Sequence, residues 1–233
     1  MKEIIEDYLV KWNDRSYNFK IRPQAGPGEE PCDKVVLREA FIENTYALDP
    51  SDFTGSGIFM DIGANIGAVS VLAAAMGARN IIAYEPVPDN YELLQQNLKA
   101  NIVDAVVSAR NLAIWGMPGP LRILSSQGGS TSEPSAVEAH PEMVITADAV
   151  TLRDALRDYT DIDVLKVDTE GAEYRMFLDP EVNIKAKKIV IEYHRSETIG
   201  PIGALLATLV LTHNVHAFGS WRSGGGQILA LRY

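Results

Sequence analysis

Three short blocks of this sequence carry residues that can do chemistry. The first is Asp61-Ile62-Gly63-Ala64-Asn65-Ile66-Gly67, a glycine-rich turn that begins with an acid. Glycines there let a backbone approach a ligand closely and relieve crowding between a strand and the helix after it. The second is Glu85, 22 residues after Gly63 and followed by Pro86. A carboxylate at that distance can accept both hydroxyls of a ribose, as the nucleotide-binding half of a Rossmann-like sheet requires. The third holds Asp168, Glu170 and Glu173, with Glu192-Tyr193-His194 further on. An uncompensated carboxylate in a cleft wants a cationic partner, and for Asp168 a cationic group of a bound cofactor can be that partner. The plainer reading has Asp168 or Thr169 capping a helix after Gly171, with Glu170 and Glu173 at its positive end. Strand alternation puts Glu192 and His194 on one face. An ordinary histidine pKa near 6.5 suits His194 to take a proton from a hydroxyl, or it is a hydrogen-bonded loop histidine. A metal held by Asp168, Glu170 or His194 is conceivable, but nothing in the spacing demands one, and none is expected.

The turn also discriminates between nucleotides. The dinucleotide fingerprint is G-x-G-x-x-G, and Asn65 and Ala68 stand at its second and third glycine positions. The second glycine is the one that admits a pyrophosphate. A Walker pattern is absent as well. A ribonucleoside without phosphates fits better, and S-adenosylmethionine is such a cofactor.

The elements that position these blocks alternate. Ile58 to Ile62 reads as a buried strand, Ala68 to Met76 as a buried helix, and Asn80 to Tyr84 as the next strand. Pro88 opens a helix whose Tyr91, Leu94 and Leu98 share a face. Ala105 to Ala109 is a third strand; Leu121 to Leu124 and Met143 to Thr146 are weaker ones. Thr151 can cap a helix from Leu152 to about Tyr159. Ile162 to Val167, a helix over Ala172 to Leu178, Lys188 to Tyr193 and a helix over Ile202 to Leu211 follow. Asn214 to Phe218 and Gln227 to Leu231 read as an antiparallel pair across Gly224-Gly225-Gly226. The alternation implies an α/β fold, a mostly parallel sheet covered on both faces. Residues 1–57 read as an N-terminal extension, in which Leu9, Trp12, Tyr17, Phe19 and Ile21 scatter through polar residues. Ser125 to Pro141 lacks an apolar period and is expected to be a functional loop, a lid or an acceptor-facing segment.

Composition sets the outer limits. The chain has 233 residues, 46% apolar and 22% charged, which suits one globular domain with an extension. The net charge of −10 argues against a surface built to neutralise phosphates. One cysteine permits neither an internal disulfide nor a multi-cysteine zinc site. The acids of Met1 to Asp7 stand where a secretory signal needs an apolar run. The uncharged stretches Ile62 to Ala78 and Ile199 to Trp221 are too polar for a membrane span. A cytoplasmic location is the expectation.

Phe59 to Gly67, then Tyr84-Glu85-Pro86-Val87-Pro88-Asp89-Asn90, then Leu165 to Glu173 together resemble the FkbM-type family of S-adenosylmethionine-dependent methyltransferases. The similarity covers about residues 58–195. It implies a class I methyltransferase fold for residues 58–233, a seven-stranded sheet with an antiparallel last strand. It implies methyl transfer, most often to a hydroxyl of a sugar or natural product, leaving S-adenosylhomocysteine. It places the methionine part of the cofactor on Asp61, Gly63, Ala64, Asn65 and Gly67, and the ribose on Glu85 beside Pro86. It sets the adenine near Asn111 and Ala113, where Asn111 is either a base contact or a plain turn residue. Asp168 faces the cofactor, and His194, Asp168 and Glu170 are the candidates for catalysis. The rival readings are methylation of nitrogen or nucleic acid, a nicotinamide oxidoreductase, and a non-catalytic nucleoside-binding module.

Overall fold

The computed structural model describes residues 4–24, 29–53, 56–126, 129–131, 144–179, 181–194, 202–220 and 225–233. The extension opens with an antiparallel hairpin, β1 (Glu6–Trp12) and β2 (Arg15–Ile21). Asn13 and Asp14 connect the strands with φ of 45° and 60°. Two consecutive positive φ values match the right-handed twist of paired strands, and Asn and Asp tolerate that region. The sequence reading left these strands unassigned because the usual turn glycine is missing. The alternation is nonetheless there: Tyr17, Phe19 and Ile21 are buried. Next comes α1 (Cys32–Arg38), prolonged by one wide π-helical turn over Glu39–Glu43 and ended by Asn44 at φ 48°.

From here the chain follows the alternating pattern. β3 (Ile58–Ile62), α2 (Ala68–Met76), β4 (Asn80–Tyr84) and α3 (Pro88–Ala100) have the expected boundaries at their starts, and β5 (Val107–Arg110) lies slightly later than expected. A second, four-stranded sheet follows, built from β6 (Ala113–Trp115), β7 (Gly119–Ser126), β8 (Gly129–Thr131) and β9 (Val144–Thr151) in the order β6-β9-β7-β8. Ser125, Ser126 and 129–131 are therefore paired strand rather than loop, because backbone pairing needs no apolar alternation. The rest of the expected loop lies outside the described residues. Thr151 caps α4 (Leu152–Leu156) by accepting the Asp154 N–H at 3.0 Å. β10 (Ile162–Asp168), α5 (Glu173–Met176), β11 (Ala186–His194), α6 (Ile202–Leu209), β12 (His213–Ser220) and β13 (Gly225–Arg232) complete the chain.

The main sheet has seven strands in the order β12-β13-β11-β10-β3-β4-β5. All run parallel except β13, which is antiparallel to both neighbours. Gly225 and Gly226 lie inside β13 and not in its turn. A Cβ on Gly226 would run into the Phe218 carbonyl and the Tyr193 ring, so these glycines serve strand packing. Helices cover both faces. α2, α3 and the extension pack on one, through Leu72, Leu94, Leu98, Phe19 and Phe41. α4, α5 and α6 pack on the other, through Leu152, Met176, Leu205 and Leu209.

Side-chain amides on α3 hold the extension. Asn97 and Asn101 lie one turn apart, so both face β2. Asn101 Oδ1 accepts the Asn18 N–H at 3.0 Å, and its Nδ2 donates to the Asn18 carbonyl at 2.8 Å. Asn97 Oδ1 accepts the Lys20 N–H at 2.6 Å, and its Nδ2 donates to the carbonyls of Lys20 and Ile66. The two amides thus act as a missing neighbouring strand for β2. Asn97 is fully buried, so Asn97→Ala leaves the Lys20 N–H and the Ile66 carbonyl without partners. The expected cost is about 1–3 kcal/mol, read as a lower urea midpoint with an unchanged slope.

Candidate active site

A cavity of about 270 Å³ opens over the carboxyl ends of β3, β4, β10 and β11. That is where the connections leave β3 and β10 in opposite directions, the place where open α/β sheets bind ligands. Gly63, Ala64 and Asn65 form one wall, with Glu85 and Pro86 beside them. The Gly63 and Ala64 N–H groups both donate to the Tyr84 carbonyl at 2.9 Å, which folds the turn back onto β4. Gly63 has φ 79°, and a Cβ there would run into the Asp168 carbonyl. Glycine is required because β3 and β10 converge, as well as for access to a ligand. Asn65 also takes a left-handed φ of 49°, and its N–H donates to Glu85 Oε2 at 2.8 Å. Its buried Oδ1 finds no partner among the described residues.

Glu85 is 3% exposed. Its Oε1 accepts the Val87 N–H at 2.9 Å, and Asn90 donates to it at 3.4 Å. Burial pushes its carboxyl up to about 6, although these donors oppose the shift. Ala113 lines the cavity with Leu112 and Ile114. Asn111 does not. Its Nδ2 donates to the carbonyls of Glu85 and Pro86 at 2.8 and 3.1 Å, so it braces the acid's loop instead of facing a base.

Asp61 and Gly67 also sit outside the cavity lining. Asp61 is fully buried beneath the turn, accepting from Ser70 Oγ at 2.7 Å and facing Lys166 Nζ at 3.1 Å. The pair follows from register, since Lys166 on β10 stands directly opposite Asp61 on β3. Gly67 starts α2 at φ 89° against Leu94. Lys166 escaped the sequence reading as a site residue, because a lysine inside an apolar strand block gives no sign of its partners. It donates to the Gly63 carbonyl at 2.7 Å, lies 3.8 Å from Asp168 and sits 5.0 Å over the Tyr46 ring. Burial disfavours its charge, but Asp61 and Asp168 outweigh that and hold its pKa above the ordinary lysine value.

Another part of the cavity wall is acidic. Asp168, Glu170 and Glu192 line it, joined by Glu39 from the π-helical turn after α1. Asp168 and Glu192 are register partners on β10 and β11. Tyr46 OH donates to Asp168 Oδ2 at 2.7 Å. Burial and the neighbouring carboxylates push Glu39 and Glu170 up, and Glu192 to about 7. Val35 and Val36 of α1 and Leu121 and Ile123 of β7 add apolar surface. The extension thus supplies site residues that the sequence blocks did not indicate. Its periodicity was mixed, and its site residues come from beyond the glycine turn and the acids.

His194 ends β11 beside this wall without lining the cavity. Its Nε2 is 3.2 Å from Glu170 Oε2 and 3.9 Å from Glu192 Oε1. Its backbone N–H donates to Glu173 Oε1 at 2.7 Å, and its Nδ1 is 3.3 Å from the same oxygen. Burial alone would lower its pKa, but Glu173, Glu170 and Asp168 raise it to about 10. At neutral pH the ring already holds its proton. The expected general base is therefore a cation in this structure, because the acids that surround it were invisible as neighbours in the sequence. Glu173 is fully buried and clamps this corner, also accepting from the Gly171 N–H and Thr169 Oγ1.

The sheet order, the single reversed strand and a cavity over the glycine turn define a class I methyltransferase fold. The family model described as the methyltransferase FkbM domain matches residues 61–222. The chain belongs to that family, a family of S-adenosylmethionine-dependent methyltransferases. It is 29% identical over 208 residues to Methyltransferase sdnD of Sordaria araneosa, covering 74% of this chain and 80% of that protein. It is 27% identical over 129 residues to the Ribosomal protein L11 methyltransferase of Citrifermentans bemidjiense, covering 53% of this chain and only 40% of the relative. The crystal structure of Methyltransferase FkbM from Methylobacillus flagellatus KT superimposes with a TM-score of 0.50 at 14% identity, over 84% of this chain and 47% of that one.

The Lys166–Asp61 pair gives a direct test. Lys166→Met leaves Asp61 buried without its cation, an expected loss of about 3–5 kcal/mol in chemical denaturation. Adding Asp61→Asn to the same chain should recover part of that loss, since the uncompensated charge is gone.

Proposed function

We propose that this chain transfers a methyl group from S-adenosylmethionine to a hydroxyl oxygen of a small-molecule acceptor. The observation that carries the reading is the cavity's mixed lining: the glycine turn and a buried acid suited to a nucleoside, together with carboxylates and apolar side chains suited to an acceptor. The buried, unpartnered Asn65 Oδ1 in that lining supports the fit, since a ligand donor is what it lacks. Glu85 would hold the ribose hydroxyls, Ala64 and Asn65 the methionine part, and Pro86 and Ala113 the adenine. Asp168 would face the positive end of the donor.

S-adenosylmethionine supplies an already activated methyl on a sulfonium. The chain's work is then to align an oxygen in line with that methyl, exclude water and receive the hydroxyl proton. Glu39, Asp168, Glu170 and Glu192 line the cavity and can accept a proton, whereas His194 already holds one. Val35, Val36 and Tyr46 line the cavity from the extension, and on this reading they shape it for a small acceptor. On this reading residues 1–57 are an extension packed on a methyltransferase domain of residues 58–233 and complete its pocket. The acidic wall and net charge of −10 disfavour a phosphate backbone. No helix among the described residues is long and apolar enough to cross a membrane. The proposed location is the cytoplasm.

A nitrogen acceptor is the second reading, because four carboxylates in one wall also suit an ammonium group. Screening with methyl-labelled donor against sugar and natural-product hydroxyls, and against amines, separates the two. Labelled product from amines alone would overturn the hydroxyl reading.

The donor site has its own test in calorimetry. S-adenosylmethionine or S-adenosylhomocysteine should bind and NAD should not. Glu85→Ala should weaken binding by about 1.5–3 kcal/mol, the range for hydrogen bonds to a charged group. The ribose hydroxyls donate to the ionised carboxylate, so affinity should fall as pH drops through about 6. Glu85→Ala should abolish that dependence.

A further inference from the structure

We propose that Asp168, Glu170 and His194 bind one divalent metal cation at the acidic wall, with coordination positions left open to the acceptor. The proposal rests on the methyltransferase reading of the same cavity and reverses the expectation of no metal. One ligand atom from each of the three residues lies within 4.8 Å of the others. His194 Nε2 and Glu170 Oε2 are 3.2 Å apart. Neighbouring ligands of an octahedral cation bonded at about 2.1 Å are separated by about 3 Å, so this pair already spans one edge of a coordination shell. The three come from two adjacent strand ends and the turn between β10 and α5, which makes the site a product of register.

Each end of the triad is oriented by a group behind it. Glu173 is fully buried and faces His194 Nδ1 at 3.3 Å, while its contact with the His194 N–H fixes the strand end. That leaves Nε2 to point toward Glu170 and Glu192. A carboxylate behind the far nitrogen sets the direction of a ligating histidine, and the metal displaces to solvent the proton that Nε2 carries in its absence. Tyr46 OH occupies Asp168 Oδ2, leaving Oδ1 for another partner. Glu39 and Glu192 add negative charge to the same cavity, while Lys166 is engaged by Asp61 beneath it. Two carboxylates and one imidazole suit a first-row ion such as Mn²⁺, and an all-oxygen ion such as Ca²⁺ less well. Because Asp168 and Glu170 line the cavity, the open positions face the space an acceptor would fill. An acceptor with two neighbouring oxygens could chelate there, which narrows the substrate class to diols and hydroxy-carbonyl compounds.

The probe is Mn²⁺ itself, titrated into the full chain after stripping with a chelator and followed by the paramagnetic resonance of the free ion. One Mn²⁺ per chain is expected, displaced by Zn²⁺. Glu170→Gln and His194→Gln should each weaken it at least tenfold. Glu173→Gln should weaken it by about 10–100-fold, as loss of an outer-shell partner does. The Glu170 side chain is 49% exposed, so Glu170→Gln keeps the fold and remains informative if the buried variant does not. Calorimetry with S-adenosylmethionine on the same preparations reports the donor site separately. No Mn²⁺ binding, or binding that ignores all three variants, overturns the metal site, and intact donor binding then leaves the methyltransferase reading standing.

Discussion

The active-site end of this fold depends on one buried cation. Lys166 is 2% exposed and touches the Gly63 carbonyl, Asp61, Asp168 and the face of Tyr46. Those groups belong to the glycine turn, β3, β10 and the extension. A charge this deep survives because two carboxylates repay its desolvation and a carbonyl takes one of its hydrogen bonds. Its partners are held in turn, Asp61 by Ser70 and Asp168 by Tyr46. Removing the ammonium would leave two acids close together below the glycine turn. Lys166 itself lines the cavity, so the ion pair positions part of its floor.

The extension is joined to this floor at several points. Tyr46 reaches Asp168 directly, and Lys188 of β11 binds Asp52 at 2.7 Å. Arg22 at the end of β2 makes a two-pronged contact with buried Asp33 at the start of α1. Asn97 and Asn101 tie β2 to α3, and Asn97 also holds Ile66 in the glycine turn. A segment anchored this way can shape an acceptor pocket, because its side chains are fixed relative to the glycine turn. It supplies Val35, Val36, Glu39 and Tyr46, all outside the residues matched by the family model. Acceptor preference is the property that such a segment can vary without disturbing the shared domain.

Charge is distributed unevenly across the cavity. Beside the glycine turn the lining carries one buried acid, Glu85, satisfied by backbone N–H groups. Elsewhere it concentrates Glu39, Asp168, Glu170 and Glu192, with His194 protonated beside them. Carboxylates so close raise one another's pKa and hold the imidazole's proton, so the wall favours whatever positive group enters. The donor's sulfonium is one such group.

The local elements and the glycine-turn part of the cavity lining were legible in the sequence. The glycine turn, Glu85, the boundaries of β3, α2 and β4 and the Thr151 cap all follow from contiguous residues, where periodicity, turn chemistry and capping act over a few positions. The family blocks extended that reading to a seven-stranded sheet with an antiparallel last strand. The hairpin β1–β2 was hidden because Asn13-Asp14 replaces a turn glycine. The second sheet was legible only as two weak strands. Tertiary structure decided the rest. It set Lys166 against Asp61 through strand register, took Asp61 and Asn111 out of the lining, and brought Glu39 and Tyr46 into it. It also turned His194 from a neutral base into a cation by surrounding it with acids. A side chain's pKa and partners depend on groups within a few ångströms in space, and those groups are far apart along the chain, as Tyr46 and Asp168 are at 122 positions.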